Sequence, residues 1–532
     1  MSNLSTQIGP AFVFLNFFIM LVLMYKTKSY WFAQIKGISS AQWIFLAFIF
    51  VVSVWLRFIV FKPRHIMYVD EFWYMEAAKN LITYGNIGGY LKSLGWPMLL
   101  SIVFLINGIS NYIAIYTTAI LGALTFFNIF LLTSMIYKNR WLGIVAAALF
   151  SILPGHVLWS VTAETNVPAL YFITLAMFFT FLYFTHKTNL LLWTSLVSIG
   201  FIAQIRPENH IFFLLFLFGT FIFIKPFPEI NFNYLAPWIL SFSLSIPDIA
   251  RVLRDKLSNN WLEAESKGMI HGSNFSLNNL LYNSKKWGGY LFADTLHPLF
   301  FSFLFLLGCL YCYKYYRKYW KLLILWFGLI YITYFTAWFQ TLGGTTQLYG
   351  KVRFYLSFYP VLVIFAAGGI YCLGQFIKRR ISKTPSGFGL ISALLVIILM
   401  LNFLPYMKGR RDYFKELELK VITNIGKDFT SKDIFVINLP SVLNATTDVG
   451  TCALKDFLED DLYRKNIMDS GGRVFFLDDY TCTIFDHFKK NCEQIKENFD
   501  LVLFREFKLD QKSLSSGVEE PVIKLYQVRL KK

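Results

Sequence analysis

The chain has 532 residues, of which 56% are hydrophobic and only 15% are charged, whereas soluble proteins average roughly 45–50% and 25%. This composition excludes a disordered chain, a collagen and a small disulfide scaffold, and it predicts a protein that crosses a membrane several times. The formal net charge is +18, but the basic residues lie mostly between apolar runs, so they indicate membrane topology and not nucleic-acid binding.

The N-terminal part of the sequence predicts three membrane spans and one shorter helix. Apolar runs long enough to cross a bilayer lie at 8–25, 42–61 and 113–137. The run at 96–107 is too short to span, and we expect it to lie at the membrane surface. A polar and aromatic segment precedes this short helix and contains Asp70, Glu71 and Glu76.

The rest of the apolar region brings the expected number of spans to about twelve. The further spans are expected at 141–159, 167–185, 190–205, 210–224, 234–249, 298–313, 322–339, 355–376 and 387–404. With this alternation the basic loops collect on one side of the membrane, which the positive-inside rule assigns to the cytoplasm. The extracytoplasmic side then receives loops 62–110 and 250–297 and everything after residue 404.

The composition divides the chain into three expected regions. Residues 1–41 form an extra N-terminal helix with a basic cytoplasmic loop, and residues 42–404 form the main transmembrane, catalytic domain. Residues 405–532 are rich in charges, and their patterns predict a small extracytoplasmic α/β domain. Its strands are expected at 433–439, 473–478, 501–507 and 522–528, and its helices at 413–429 and 484–499. Cys452, Cys482 and Cys492 would share an oxidising compartment, which allows one disulfide and leaves one thiol over, and the sequence leaves open whether the disulfide forms.

The adjacent acids Asp70 and Glu71 are the sharpest chemical feature of the sequence. They lie just beyond the second span, whereas the other adjacent acids lie in the C-terminal region. A carboxylate at this place can act as a base towards a substrate carried in the membrane. A solvated loop acid is the alternative interpretation of such a pair on its own.

The segment around these acids resembles the first extracytoplasmic loop of the C-type (GT-C) membrane glycosyltransferases. In that family a Tyr lies three residues after the Glu, and surface helices flank a segment with a Lys; Tyr74 and Lys92 match this order. Later landmarks similar to those of the family are Thr162 to Pro168 with Glu164, Arg206-Pro207-Glu208, and Arg353 with Pro360. The resemblance covers 42–404 and is greatest to the protein O-mannosyltransferases and the lipid A aminoarabinose transferases. Glu164 stands where members often have Asp.

The resemblance implies an integral membrane glycosyltransferase that transfers a hexosyl or pentosyl group. The donor would be a sugar linked to polyprenyl or dolichyl phosphate, and the acceptor would lie at the extracytoplasmic face. Displacement at the anomeric carbon needs a base for the acceptor hydroxyl and cations for the departing phosphate. Asp70 is the expected base, with Glu71 beside it at the catalytic centre. Acceptor or sugar contacts are expected from Tyr74, Glu164 and Glu208, and phosphate contacts from Lys92, Arg206, Lys351 and Arg353.

Two alternatives stay open at this point. The chain could be a protein O-mannosyltransferase proper, with a protein acceptor in place of an envelope glycan or lipid. A transporter or flippase would also have many spans, but it should carry ionisable residues or broken helices near the bilayer midplane. The expected partners are the lipid-linked donor, the acceptor and membrane lipids, without nucleic acid. No cofactor is predicted with certainty, and a divalent metal is left open.

Overall fold

The structure is a computed structural model of the chain, which describes most of its residues. The described residues are 2–61, 69–87, 90, 92–224, 231–258, 276–287, 297–336, 353–381, 397–398, 401–402, 417, 420–421, 424–425, 427–445, 447–479, 481–484, 486–508 and 522–531. The expected span at 387–404 and most of the expected helix at 413–429 lie outside them.

The membrane part of the described chain is helical throughout. Its helices are α1 (Ser2–Lys26), α2 (Lys28–Lys36), α3 (Ser40–Trp55), α4 (Val69–Tyr84), α5 (Gly95–Asn107), α6 (Asn111–Tyr137), α7 (Arg140–Ile152), α8 (Pro154–Ser160), α9 (Asn166–His186), α10 (Asn189–Ile205), α11 (Ile211–Phe223), α12 (Phe232–Ser258), α13 (Leu277–Trp287), α14 (Leu299–Tyr315), α15 (Arg317–Phe335) and α16 (Tyr359–Ile381). A π-helical turn, Leu56–Val60, extends α3. Helix α12 continues beyond residue 250, where the sequence predicts the start of a loop, because charged residues do not by themselves end a helix.

Five helical segments of the described chain are long and apolar enough to cross a membrane. They are Gly9–Lys26, Ser40–Val60, Asn111–Tyr137, Asn166–His186 and Arg353–Ile377. The pair α7 and α8 would make a sixth span, bent by 60° where the sequence predicts one straight run. Four shorter apolar helices accompany them: Gly95–Asn107, Asn189–Ile205, Pro207–Phe223 and Leu299–Tyr315. These apolar helices indicate a membrane protein, and the expected count of about twelve spans is not confirmed.

Small residues bring the helix backbones close together where the bundle is tightest. At Gly308 in α14 and Gly369 in α16, an added Cβ would collide with the backbone of the facing helix, at Phe365 and Leu304 respectively. Transmembrane helices use small residues in this way to gain van der Waals contact. Helix α9 is the most buried of the candidate spans in the described chain, with 89% of its apolar window buried. The surrounding helices therefore hold the ends of α9 in place.

A buried arginine joins α3 to the bend between α7 and α8. Arg57 is fully buried, and its Nη1 donates to the Ser53 carbonyl at 3.0 Å and to the Ser53 hydroxyl at 2.8 Å. Its Nη2 lies 2.8 Å from His156 Nδ1, just after Pro154 at the start of α8. An unpartnered arginine inside a membrane is costly, so these bonds hold the bend against α3.

The C-terminal region folds around one five-stranded sheet. Its strands and helices are β1 (Ile434–Ile437), α17 (Ser441–Asn444), β2 (Gly450–Ala453), α18 (Leu454–Glu459), α19 (Asp461–Met468), β3 (Val474–Asp478), α20 (Thr481–Ile484), α21 (Asp486–Asn498), β4 (Phe499–Lys508) and β5 (Val522–Leu530). The strand order is β2-β1-β3-β5-β4. Strand β1 pairs in parallel with β2 and β3, while β5 pairs antiparallel with β3 and β4. The predicted strands are all present, and β2 is an additional one.

The C-terminal region contacts the bundle at α4. Lys79 Nζ donates to the Thr447 carbonyl at 2.6 Å and lies 2.8 Å from Asp448 Oδ1. Asn444 Nδ2 donates to Glu76 Oε1 at 3.0 Å. These contacts place the sheet beside the helix whose first turn carries Asp70.

One disulfide closes part of the C-terminal region. Cys482 and Cys492 are joined, with their Cα atoms 5.7 Å apart, and Cys452 is a buried free thiol. The disulfide that the sequence allows is therefore present within this region, with one thiol left over.

Candidate active site

One cluster of opposite charges lies where four segments of the bundle meet. Asp70 lies in the first turn of α4, Lys92 precedes α5, Glu164 precedes α9, and Arg353 precedes α16. Lys92 Nζ lies 2.6 Å from Asp70 Oδ1. Arg353 Nη1 lies 3.3 Å from Asp70 Oδ2 and 2.9 Å from Glu164 Oε1. Two carboxylates thus share two cations, and these four side chains are neutral as a set.

The cluster has an accessible side and a buried side. The Asp70 and Lys92 side chains are 24% and 26% exposed, whereas the Glu164 side chain is 2% exposed. A substrate can therefore reach Asp70 and Lys92 directly. Glu164 lies beneath them, where it holds Arg353.

The two carboxyl groups have pKa values shifted in opposite directions. Burial alone would raise the pKa of Asp70, but the charges and hydrogen bonds of Lys92 and Arg353 outweigh it and hold this pKa at about 2, below the ordinary 3.8. Burial raises the pKa of Glu164, and Arg353 offsets only part of the rise. Asp70 is therefore ionised at every physiological pH.

Aromatic rings surround the Lys92 ammonium group. It lies 4.6 Å from the ring centre of Trp73 and 5.5 Å from that of Tyr74. Burial lowers the pKa of Lys92, and the ion pair with Asp70 acts against this shift. Both rings belong to α4, so the helix that carries Asp70 also positions the cation beside it.

Tyr74 lies one helical turn after Asp70 and is buried. Its ring meets that of Tyr90 edge to face, with the centroids 6.1 Å apart. Burial raises the pKa of Tyr74 well above its usual value, and the charges of Glu164 and Asp70 add to the rise. Tyr74 therefore keeps its phenolic proton and can donate a hydrogen bond within the site.

Glu71 occupies a different environment from its neighbour Asp70. It is fully buried, and its Oε2 accepts a hydrogen bond from the Ala163 N–H at 2.7 Å. Trp96 Nε1 donates to the Ala163 carbonyl at 2.8 Å. Successive residues of a helix point about 100° apart, so only one member of the pair faces the cations. Glu71 thus fixes the turn that carries Glu164.

Arg206 and Glu208, which the sequence assigns to different ligands, pair with each other. Arg206 Nε donates to Glu208 Oε1 at 2.6 Å, and the Tyr334 hydroxyl donates to the same oxygen at 3.3 Å. The ring of Phe354 lies 5.5 Å from the Arg206 guanidinium and 5.0 Å from that of Arg353. A second, internally paired cation therefore borders the cluster.

Asp248 is a site residue that the sequence-based predictions miss. It is 1% exposed, and its Oδ2 accepts the Leu94 N–H at 3.2 Å, two residues after Lys92. Gly95 begins α5 so close to the end of α10 that a Cβ would lie 2.7 Å from the Gln204 carbonyl oxygen. The sequence does contain a signal for it, because Asp248 follows Pro247 directly within an apolar run. These contacts fix the backbone that carries Lys92.

Other expected site features lie partly outside the described residues. Lys351 is among the residues that the structure does not describe, as is most of the predicted loop 250–297. Within the described residues, no group of three or more His, Cys, Asp or Glu side chains is placed to hold a metal ion.

The fold is similar to those of solved membrane glycosyltransferases. ArnT from Cupriavidus metallidurans, bound to undecaprenyl phosphate, matches with a TM-score of 0.59 and 11% identity over 92% of this chain and 98% of that chain. The chain has the GT-C fold. The Archaeoglobus fulgidus oligosaccharyltransferase, tethered with an acceptor peptide containing the NVT sequon, matches with a TM-score of 0.52 and 10% identity over 93% of this chain and 74% of that chain.

No protein-family model and no curated protein matches the sequence. At 10–11% identity, the structural likeness establishes the fold alone. The expectation of a GT-C architecture is confirmed. The chemistry has to be argued from the side chains of this chain.

Proposed function

We propose that the protein is a membrane glycosyltransferase. It transfers a hexosyl or pentosyl group from a polyprenyl-phosphate carrier to an acceptor hydroxyl, on a protein or on a glycan or lipid of the cell envelope, at the extracytoplasmic face. The observation that carries the proposal is the partly exposed Asp70 carboxylate held between Lys92 and Arg353, in a bundle with the GT-C fold.

The cluster suits a displacement in which a phosphate leaves. A sugar on a polyprenyl phosphate is a phosphodiester with one negative charge, and the departing phosphate monoester acquires a second one. Lys92 and Arg353 would stabilise this developing charge. Arginine offers a planar fork that matches phosphate oxygens, and lysine offers a compact positive charge. As they turn towards the phosphate, they release the Asp70 carboxylate.

The released Asp70 acts as the general base. The acceptor oxygen bonds to the anomeric carbon, the bond from this carbon to the phosphate oxygen breaks, and the acceptor proton passes to Asp70. Loss of the two cationic neighbours raises the pKa of Asp70 from about 2 at the moment when a base is needed. A single displacement of this kind inverts the anomeric centre.

The remaining site residues support binding. Tyr74 and Glu164 would contact sugar or acceptor hydroxyls from below the cluster, and Glu71 holds the turn on which Glu164 lies. Arg206 pairs with Glu208 at the border of the cluster and makes no ion pair with Asp70 among the described contacts. We therefore place Lys92 and Arg353 first in the phosphate-binding role and Arg206 second.

The orientation of the protein follows from charge and redox chemistry. The positive-inside rule would place the basic segments after α1 and α6, at the start of α15 and at the end of α16 in the cytoplasm, and loop 62–110 with its acidic residues on the opposite side. A disulfide in the C-terminal region agrees with an oxidising, extracytoplasmic compartment. That region would cover the site beside α4 and help to admit the acceptor.

The proposal is tested with a deletion strain complemented by wild-type protein or by Asp70→Asn. We expect one polyprenyl-phosphate sugar to accumulate in the deletion strain and in the Asp70→Asn strain, and one surface glycan to disappear in both. The wild-type gene should restore both signals. Lipid-linked sugars are measured by mass spectrometry, and the amount of Asp70→Asn protein in the membrane is measured by immunoblotting.

Two outcomes contradict the proposal. Unchanged lipid-linked sugars and glycans in the deletion strain would remove the transfer function. Accumulation confined to the cytoplasmic leaflet, measured by protection from an external glycan-modifying reagent, would favour a flippase. A transferase leaves its donor on the outer leaflet, where the reagent reaches it.

A further inference from the structure

A cavity of about 530 Å³ lies at the end of the bundle away from the charged cluster. Helix α9 runs for 21 residues from Asn166, close to Glu164, to His186, close to the cavity. At 1.5 Å per residue, its length separates the two places by about 30 Å, which equals the thickness of a bilayer's hydrocarbon core. The cavity therefore lies at the level of the opposite membrane surface.

The polar lining of the cavity is positively charged. Lys138 and Arg140 line it, and none of its lining residues carries a carboxylate. Lys138 ends α6 in the left-handed conformation, at φ 48°, and its exposed side chain makes no ion pair with the residues that the structure describes. Arg140 already donates to the Gly37 and Gln34 carbonyls, so Lys138 is the main cation that the cavity offers to a ligand. Lysine and arginine are side chains that recognise a phosphate.

Hydrogen bonding by Gln42 leaves another donor for an anion. Its Oε1 accepts the Ser39 N–H at the start of α3, and Gln42 is one of the residues that line the cavity. Gln42 is 8% exposed, so its position is set by the helix cap and not by solvent. The side-chain nitrogen of Gln42 is a hydrogen-bond donor and not an acceptor, so an anion is a suitable partner for it.

An apolar wall continues from the cavity to the lipid-facing surface. Phe130, Leu131 and Met135 line the cavity beside the cations. Phe45 on α3 and Trp141 on α7, the residue after Arg140, are 47% and 42% exposed, and their rings meet edge to face with the centroids 5.5 Å apart. A ligand with a phosphate and an attached hydrocarbon chain matches both parts of this lining.

We propose that the cavity binds the headgroup of an anionic phospholipid, with an acyl chain along the exposed rings of Phe45 and Trp141. Basic pockets between transmembrane helices commonly bind acidic headgroups, and the volume lies within the range of about 300–1,000 Å³ of small-molecule sites. This lipid site is separate from the proposed transfer reaction. It would anchor the ends of α6, α7 and α9 at the cytoplasmic surface.

The test uses purified full-length protein in detergent and three probes: dioctanoyl phosphatidylglycerol, dioctanoyl phosphatidylcholine and inorganic phosphate. Binding is measured by native mass spectrometry and by the shift of thermal unfolding. The variant is Lys138→Gln, and the matched control is Lys187→Gln. Lys187 ends α9 at φ 56°, is exposed, and is absent from the cavity lining, so it has the same charge and backbone conformation at the same end of the bundle.

We expect phosphatidylglycerol to bind to wild type and to Lys187→Gln with equal affinity, and to Lys138→Gln about tenfold more weakly, as for loss of one charged hydrogen bond. Phosphatidylcholine and inorganic phosphate should bind much more weakly than phosphatidylglycerol. Lys138→Arg should restore binding.

A second variant keeps the test decisive if Lys138→Gln does not fold. Gln42→Glu preserves the helix cap, because Glu also accepts the N–H of the capping residue, and it adds a negative charge to the cavity. It should abolish phosphatidylglycerol binding. Equal losses in Lys138→Gln and Lys187→Gln would overturn the site in favour of a general basic surface. Equal binding of inorganic phosphate would make it a free-anion site, and equal binding of phosphatidylcholine would remove the charge recognition.

Discussion

Replacement of each of two neighbouring acids, by Asp70→Asn and by Glu71→Gln, should separate the chemistry of the site from its architecture. Both substitutions keep the shape of the side chain and replace a carboxyl group by an amide. Asp70 is the partly exposed partner of two cations, whereas Glu71 is fully buried and accepts a backbone N–H. We therefore expect the first variant to lose turnover and the second to lose mainly stability.

The magnitude for Asp70 follows from its pKa. A carboxyl group with a pKa of 3.8 in the unfolded chain and about 2 in the folded protein adds about 2 kcal/mol to the free energy of unfolding. The folded pKa is the lower one, so this contribution is complete above pH 3.8 and disappears as the pH falls through about 2. The Asp70→Asn variant should lack this pH dependence and keep Lys92 and Arg353 without their shared anion.

The assay combines thermal unfolding in detergent between pH 2 and pH 7 with single-turnover transfer from the lipid-linked sugar that accumulates in the deletion strain. Asp70→Asn should fold, bind the donor, and transfer at least about 10²-fold more slowly. Glu71→Gln should transfer within about tenfold of the wild-type rate, because an amide oxygen still accepts the Ala163 N–H. Its melting temperature should fall, since the new amide nitrogen lies in a fully buried place where it needs a hydrogen-bond acceptor.

The opposite pattern would refute this division of roles. If a folded Asp70→Asn protein transfers at a normal rate while Glu71→Gln is inactive at full stability, the base is Glu71. The accessible ion-pair cluster would then be structural.

Three further predictions concern the charges and the disulfide. Lys92→Gln removes the cation nearest to Asp70, so the pKa of that carboxyl should rise from about 2. In a plot of transfer rate against pH, the loss of activity at acid pH should therefore begin at a higher pH than in wild type. An unchanged profile would show that another group controls the acid side. Arg353→Lys keeps the charge but not the fork, so the dissociation constant of the donor should rise about tenfold in an equilibrium binding assay, and unchanged affinity would confine Arg353 to holding the acids. Cys482→Ser opens the disulfide and should lower the unfolding free energy of the C-terminal region by about 3 kcal/mol in chemical denaturation. Cys452→Ser, the control, changes a free thiol and should cost much less.

Much of the architecture could be predicted from hydrophobic pattern, because the pattern is long and strongly apolar. The C-terminal strands were predictable from shorter patterns: β3 is mostly a short apolar run, and β5 intersperses apolar and β-branched residues with polar ones. Strand β2 was not, because Gly450–Ala453 has only four residues and little apolar character. The bend between α7 and α8 was also missed, since Pro154 occurs within an otherwise continuous apolar run.

The sequence singled out Asp70, Lys92, Glu164 and Arg353, which the structure brings together, but it did not reveal which of them pair, and it missed Asp248. Asp70, Glu164 and Arg353 are far apart in sequence, and only the packed bundle shows that one guanidinium bridges both carboxylates. Arg206 and Glu208 were expected to face different ligands, yet they satisfy each other. Hydrogen bonding within a fold depends on helix ends meeting in space, and the spacing of residues along the chain does not reveal this.

Helix α4 explains why the site and the C-terminal region belong together. Its first turn presents Asp70 to the cations, and its later turns present Glu76 and Lys79 to Asn444 and to the loop after it. Nine residues separate Asp70 from Lys79, which is about 14 Å along a helix. Over that distance a helix moves as one body, because its backbone hydrogen bonds resist bending. The contacts of Glu76 and Lys79 with the C-terminal region therefore help to fix the helix on which Asp70, Trp73 and Tyr74 lie, and through these rings also the position of Lys92.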